Sequence, residues 1–156
     1  MIVRQASEAD FEALGEVMFE AVRGGPSAYS EDQRRAWTPE PRKGEAWTAR
    51  LVPQYVVLGE EGGVVQGFMS LTDSGYVDCA FIRPGARGSG LFRDLFEAIE
   101  AAARSMNLFR IWAHVSLTAQ PAAGALGMSK VLDEDVEFSG AVFRRAIMEK
   151  YLSTEF

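Results

Sequence analysis

The residues of this chain best suited to chemistry lie in a glycine-rich segment at positions 81–92, Phe-Ile-Arg-Pro-Gly-Ala-Arg-Gly-Ser-Gly-Leu-Phe. An alternating run at residues 75–82 predicts a strand before the turn, and apolar residues at helical spacing from Leu91 predict a helix after it. A turn that joins a strand to the start of a helix presents backbone N–H groups without partners inside the protein. Such groups bind anions, and phosphate in particular. The segment therefore predicts a phosphate site.

Local charge supports this prediction. Between residues 79 and 93 the sequence contains Arg83, Arg87 and Arg93 but no acidic residue, although the net charge of the chain is −6. We expect at least one of these arginines to approach the phosphate groups, and the alternative is that all three are solvated surface charges. For the glycines the alternative is a purely structural loop, because isolated glycine patterns are common.

The rest of the sequence predicts the elements that position this turn. Strands are predicted at residues 2–5, 55–59, 64–71, 75–82, 109–115, 128–136 and 141–148, and helices at residues 7–23, 30–37, 91–104 and 118–126. Residues 24–30 and 38–54 are predicted to be loops that shape a substrate pocket. This order predicts a mixed α/β sheet covered by helices, in which the fourth strand leads into the phosphate turn.

Size and composition predict one domain, residues 1–156, and argue against several classes of protein. A net charge of −6 argues against nucleic acid as a partner. The single cysteine, Cys79, excludes an internal disulfide, and the single histidine, His114, argues against the usual zinc sites, so we expect no metal. The sequence shows neither a signal-peptide pattern nor an apolar run of membrane-spanning length, which predicts a cytoplasmic protein without a membrane partner.

The element order and the turn resemble the GNAT superfamily of acyl-CoA-dependent N-acyltransferases, in particular its small bacterial members. The motif of that family is Arg or Gln, two residues, Gly, one residue, and Gly or Ala, with a proline three residues before the motif. Arg87, Gly90 and Pro84 fit this motif, whereas Phe92 replaces the small last residue. The resemblance implies a mostly antiparallel central sheet of about seven strands with helices on both faces.

The resemblance also implies a site for coenzyme A. Three consecutive residues of the fourth strand would offer backbone groups to the pantetheine arm, as a sheet edge does to an added strand: Ala80, Phe81 and Ile82. Six amides of the turn would hold the pyrophosphate: those of Arg87, Gly88, Ser89, Gly90, Leu91 and Phe92. Ser116 matches a polar position near the cofactor. The tyrosine that protonates the departing thiolate in many members is replaced by Ala123, so Ser116, Tyr76 or water would take that role.

Acetylation requires a neutral amine, and two side chains are candidate bases. A lysine amine with a pKa of ~10.4 is neutral in about one molecule in 2,500 at pH 7, so a base helps such an acceptor strongly. For Asp78 the pKa would have to rise by roughly 3 units from ~3.9, which requires strong burial. A histidine such as His114, with a reference pKa of ~6.5, needs no adjustment. The alternatives are a packed strand residue for His114 and an acid bonded to a turn or an arginine for Asp78.

Side-chain alternation along the fourth strand predicts that Tyr76 and Asp78 share one face and that Cys79, a small buried hydrophobe, points to the other. Tyr29 and Trp37 are candidates to line the acceptor pocket. The resulting hypothesis is an N-acetyltransferase in which an amine attacks acetyl-CoA directly. The acceptor, a small molecule, a peptide N-terminus or a protein lysine, stays open, and so does the oligomeric state, a homodimer included. Alternatives are a non-catalytic domain that senses acyl-CoA and a nucleotide-binding α/β domain.

Overall fold

Two antiparallel sheets form the centre of the computed structural model, which describes residues 1–152. Strands β1 (Ile2–Gln5), β2 (Tyr55–Glu61), β3 (Val64–Leu71) and β4 (Val77–Ile82) form the first sheet in chain order. Strands β5 (Arg110–Ser116), β6 (Ser129–Phe138) and β7 (Ala141–Tyr151) form the second in the order β5-β7-β6. The helices are α1 (Phe11–Arg23), α2 (Glu31–Trp37), α3 (Gly44–Leu51), α4 (Leu91–Ser105) and α5 (Gln120–Ala125). The predicted mixed, mostly antiparallel arrangement of about seven strands is confirmed.

The two sheets meet at the first residues of β4 and β5, and the two strands then diverge. One parallel bridge, between Tyr76 and Trp112, joins the two strands in the described part of the chain. Beyond this bridge the two strands form no further pairing within residues 1–152, and each is paired along its other edge, β4 with β3 and β5 with β7. The single central sheet expected from the sequence is therefore split into four and three strands, with an opening between β4 and β5.

Helices cover both faces of the first sheet, as expected. The apolar face of α4 packs on one side, where Leu95 and Ile99 are fully buried. Helices α1 and α3 pack on the other side, where Leu14 and Trp47 are buried. Within residues 1–152 no helix combines the length and the apolar character needed to cross a membrane.

Helix α3 is the element that the sequence did not predict, and its presence corrects the expectation of a continuous loop at residues 38–54. The helix has a weak sequence signal because only Trp47 and Leu51 supply buried apolar side chains, four residues apart. Tertiary packing stabilises it: the indole N–H of Trp47 donates to the backbone oxygen of Phe11 at 2.7 Å. This helix also carries Arg50 toward β4.

A β-bulge in β4 changes the direction of its side chains. Ser70 of β3 pairs with Cys79 and Leu71 pairs with Val77, so Asp78 is the extra residue of β4. A bulge interrupts alternation and bends the strand. Asp78 and Cys79 therefore both lie toward Arg50, which contacts the carboxylate and, at 3.8 Å, the Cys79 sulfur. The prediction that Cys79 points away from Asp78 was wrong for this reason, whereas its burial, at 1% exposure, is confirmed.

Candidate active site

A cleft of about 630 Å³ lies between the diverging strands β4 and β5. Residues of the glycine-rich turn, among them Gly88 and Gly90, line this cleft. Asp78 and His114, each two residues past the bridge between β4 and β5, line it as well, and so does Arg145. The fold therefore brings the predicted phosphate site and the two candidate bases, which lie on different strands, to a single cavity.

The turn before α4 is accessible to a ligand, and the buried first residue of α4 holds it in position. Gly88 and Gly90 have φ values of +77° and +88°, and no atom of residues 1–152 lies within 4 Å of the position that a Cβ would occupy on either. Positive φ favours glycine, and the open space leaves their backbone accessible. The fully buried Leu91 fixes the start of α4, because its side chain packs where a Cβ on Gly59 would collide with it at 2.4 Å.

Alternate amides of the turn are available for an anion. Three N–H groups of residues 87–92 bond within the turn, at 3.3–3.4 Å: those of Arg87, Ser89 and Leu91. The other three have no hydrogen-bond acceptor among residues 1–152: those of Gly88, Gly90 and Phe92. These three precede or begin the 15-residue helix α4, whose dipole favours a negative charge at this end. Three amides of the turn are thus free to bind an anion, not the six expected from the sequence.

Two of the three local arginines do not project toward the turn. The guanidinium of Arg87 donates to the backbone oxygens of Ala21 and Pro26 at 2.8 and 3.0 Å, and burial lowers its pKa. Arg83 forms a 2.6 Å ion pair with Glu20. Arg93, exposed in the first turn of α4, is the arginine left to approach a phosphate.

The free edge of β4 offers two residues to a ligand, not three. The N–H of Arg83 donates to Gln66, and in an antiparallel ladder every second residue repeats this bonding. The backbone groups of Phe81 therefore face its partner Phe68 on β3. Those of Ala80 and Ile82 face the cleft. This corrects the expectation that Phe81 also pairs with a pantetheine arm through its backbone, although its side chain does line the cleft.

Asp78 is held as a charged carboxylate. Arg50 donates to its two oxygens at 2.8 and 3.1 Å, and Gln54 donates at 2.8 Å. Burial raises the pKa of Asp78, but these hydrogen bonds outweigh burial and the pKa lies below its ordinary value. An aspartate that acts as a base at neutral pH needs a pKa raised by roughly 3 units. The pKa of Asp78 is lowered instead, so Asp78 does not meet this requirement for a general base.

We expect Asp78→Asn to destabilise the fold near neutral pH by about 1–3 kcal/mol, because it removes the ionised partner of Arg50. A carboxyl whose pKa is depressed by folding contributes stability above its unfolded pKa of ~3.9 and loses it as the pH falls through the lower folded value. The difference in unfolding free energy between wild type and variant should therefore disappear below that window. Urea unfolding at several pH values measures it, and a difference independent of pH would contradict the ion-pair explanation.

His114 is oriented by an acid that the sequence did not single out. Its Nδ1 lies 2.9 Å from an Oε1 atom of Glu134, and the same oxygen accepts a 2.7 Å hydrogen bond from Nε of Arg145. We assign the ring proton to Nδ1 because a carboxylate only accepts, which leaves Nε2 as a proton acceptor. The hydrogen bond from Arg145 lowers the pKa of Glu134 and keeps it ionised. The available signal was cross-strand pairing, which places Glu134 opposite Arg145.

Two hydroxyl groups line the cleft near His114. The ring of Tyr76 packs against Trp112 with centroids 4.6 Å apart, and burial raises the pKa of its hydroxyl, which stays protonated at neutral pH. Ser116 ends β5, and its Oγ accepts a hydrogen bond from the N–H of Ala119 at 3.3 Å. Ala123, where the resemblance implies a tyrosine, is buried on the cleft wall. No group of three or more His, Cys, Asp or Glu side chains within residues 1–152 has metal-binding geometry.

Comparison with known proteins places this cleft in a family. No curated protein sequence matches the chain. The structure is similar to a "GCN5-Related N-acetyltransferase: Aminotransferase, Class-II" from Rhodopseudomonas palustris, with a TM-score of 0.84 and 21% identity over 97% of this chain and 95% of that one. It is also similar to a putative acetyltransferase from Salmonella typhimurium solved with acetyl-CoA, with a TM-score of 0.69 and 24% identity over 100% and 96% of the two chains.

A ribosomal-protein-alanine N-acetyltransferase from Brucella melitensis gives a TM-score of 0.70 and 20% identity, over 97% of this chain and all of that one. At these identities the likeness establishes the shared fold. The sequence itself matches a family model described as "Acetyltransferase (GNAT) domain" across residues 26–152, which includes the turn, both diverging strands and the β6–β7 hairpin. The chain therefore belongs to the GNAT family of acetyltransferases, whose cosubstrate is acetyl-CoA.

Proposed function

We propose that this protein transfers the acetyl group of acetyl-CoA to a primary amine by direct attack within a ternary complex. One observation supports this proposal above the others. A single cleft joins an open anion-binding turn, a free strand edge and an oriented imidazole. Such an arrangement can hold two reactants together, and positioning is a large part of catalysis in group transfer.

The residues present fit coenzyme A. The free amides of Gly88, Gly90 and Phe92 would bind the pyrophosphate, as helix N-termini bind phosphate groups. The backbone edge at Ala80 and Ile82 would pair with the amide groups of the pantetheine arm. When bound, the thioester supplies the acetyl group: the new N–C bond forms as the C–S bond breaks, the amine loses a proton, and the thiolate gains one.

In this proposal His114 takes the proton from the amine. Its Nε2 has a free lone pair once Nδ1–H donates to Glu134, and the ionised carboxylate stabilises the imidazolium that forms. Arg145 keeps Glu134 in place. The ion pair of Asp78 with Arg50 instead connects β4 to α3, so Asp78 has a structural role in this part of the cleft.

The departing thiolate takes its proton from a hydroxyl group in place of the missing tyrosine. Tyr76 and Ser116 both line the cleft, and burial, which raises the pKa of Tyr76, keeps its hydroxyl protonated at neutral pH. The hydroxyl that donates to the thiolate regains its proton from solvent. Ala123 also favours a second function, a non-catalytic domain that binds acyl-CoA, because that residue supplies no proton.

Amine-dependent release of free thiol from acetyl-CoA tests the proposal. We expect release with at least one amine in a broad panel, together with a product heavier by one acetyl group in mass spectrometry. Stabilisation by coenzyme A without thiol release for any amine would support the non-catalytic function. Stabilisation by ATP or NAD in place of coenzyme A, measured by thermal shift, would overturn both.

A further inference from the structure

Aromatic rings line one wall of the cleft. Five rings, from four helices or strands and the connection between α1 and α2, form this wall, with centroids of contacting pairs 4.3–6.2 Å apart: Tyr29, Trp37, Phe81, Phe138 and Phe143. Aromatic pairs at such distances pack favourably and present a rigid apolar surface. The wall is therefore built to contact an apolar or aromatic group.

Strand register places this wall beside the proposed base. Phe143 and Arg145 are two residues apart on β7, so their side chains share a face. Their partners on β6 are Val136 and Glu134. The group that bonds His114 and the aromatic wall are thus neighbours on the same hairpin face, and an amine beside His114 would carry the rest of its molecule against the rings.

Two hydrogen bonds hold Tyr29, one of the wall residues, in place. Its hydroxyl donates to the backbone oxygen of Arg144 at 2.6 Å and accepts from the N–H of Leu117 at 3.0 Å. Both bonds hold the connection between α1 and α2 against the second sheet. Because the hydroxyl is occupied in this way, the ring contributes surface and rigidity to the pocket.

The acidic side chains at the cleft are paired within the protein. Asp78 is the one acidic side chain on the cleft wall within residues 1–152, and Arg50 neutralises it at 2.8 Å. Glu134, behind the wall, is paired with Arg145 at 2.7 Å. An acceptor with several ammonium groups needs unpaired acids, because burial of an unpaired charge against apolar surface is costly. This cleft offers such an acceptor no uncompensated acid.

From the wall and the charges we infer that the acceptor is a monoamine carried on an aromatic or apolar body. Polyamines, multiply charged sugars and basic peptides are excluded as good acceptors. The inference rests on the proposed transfer to an amine, but it concerns which molecule the pocket binds. Binding can therefore be measured separately from turnover.

The test compares three probes at equal concentration: phenylethylamine, putrescine and a tripeptide that contains two lysines. Affinity for the complex of the protein with coenzyme A is measured by calorimetry, and kcat/KM is measured by thiol release. We expect phenylethylamine to exceed the other two by at least about tenfold in both measurements. Equal or better binding of putrescine or the tripeptide would overturn the inference. Tight binding of phenylethylamine without turnover would support the inference while the proposed function fails.

Two substitutions test the two physical causes separately. Phe138→Ala shortens the wall at the end of β6, where the ring stacks on Phe143 at 4.3 Å, and should weaken phenylethylamine binding by about tenfold with unchanged coenzyme A affinity. Phe109→Ala, a 66% exposed ring at the start of β5, is the matched control. Equal loss in both variants would contradict the role of the wall.

Arg50→Gln tests the charge. The variant leaves Asp78 without its paired cation, so the ratio of the affinity for putrescine to the affinity for phenylethylamine should rise by at least about tenfold. Arg144→Gln removes an arginine that pairs with Asp135 on the exposed surface and should leave the ratio unchanged. An unchanged ratio in Arg50→Gln, in protein that still binds coenzyme A, would show that charge pairing does not select the acceptor.

Discussion

Gly90→Asp should reduce the affinity for coenzyme A by about 100-fold or more. The substitution places a carboxylate beside the amides proposed to bind the pyrophosphate, and two like charges about 4 Å apart repel by ~4 kcal/mol at an effective dielectric constant of 20. It also penalises the positive φ of +88° at this position, which costs ~1–2 kcal/mol for a residue with a Cβ. Calorimetric titration with coenzyme A measures the loss directly.

Gly63→Asp is a close control for this prediction. Gly63 has a φ of +81°, is equally free of neighbouring atoms within residues 1–152, and lies in the β2–β3 hairpin turn. Substitution of Gly63 has a similar backbone cost and adds the same negative charge, but at a position outside the glycine-rich turn. We expect this control to lose stability but keep its affinity for coenzyme A. If both variants bind coenzyme A equally well, the diphosphate does not contact the turn, and the proposed cofactor site is wrong.

The glycine-rich turn was predictable because every feature of it is local in sequence. Glycines of positive φ, the strand before them and the periodic helix after them all lie within residues 77–105. The capped helix α2 was predictable for the same reason, and Ser30 does accept the N–H of Gln33. Short-range patterns therefore identified the element order and the open glycine-rich turn that lines the cleft.

The surroundings of Asp78 and His114 were harder to predict because they depend on pairing between distant residues. The bulge at Asp78 arises from the register of β3 against β4, which no local pattern specifies. The carboxylate that orients His114 comes from β6, 20 residues away in sequence. Arg50, which lowers the pKa of Asp78, belongs to a helix stabilised by tertiary contacts. Each of these facts concerns a long-range contact that sets the chemistry of a candidate residue.

The arginine of the motif shows a second limit of local patterns. Arg87 was one of three arginines expected as possible phosphate ligands, yet its guanidinium donates to carbonyl oxygens of Ala21 and Pro26. Arg34 is buried in the same region and donates to the oxygens of Val22, Gly24 and Gly25. Cations at a helix C-terminus satisfy its unpaired carbonyl groups. Arg87 thus connects the glycine-rich turn to the segment that follows α1 and carries Tyr29, and Arg34 binds the same segment from α2.

His114→Gln should lower kcat/KM by about 10²–10³-fold, the usual contribution of a general base. Glutamine can keep a hydrogen bond to Glu134 but cannot accept a proton at neutral pH, so binding of coenzyme A should be unchanged. Thiol-release kinetics at a fixed neutral pH measure the loss, and calorimetric titration with coenzyme A checks that the cofactor site is intact.

Glu134→Gln separates orientation from proton transfer. Removal of the carboxylate charge leaves the imidazole in place but withdraws the stabilisation of its protonated form, so kcat/KM should fall by about tenfold, less than in His114→Gln. Asp78→Asn should affect the rate less than His114→Gln, since Asp78 is engaged by Arg50. The reverse order, with nearly full activity in His114→Gln and a loss above about 100-fold in a folded Asp78→Asn protein, would identify Asp78 as the base. The ion pair with Arg50 would then have to open when substrate binds, and Arg50 would become the residue that controls access to the base.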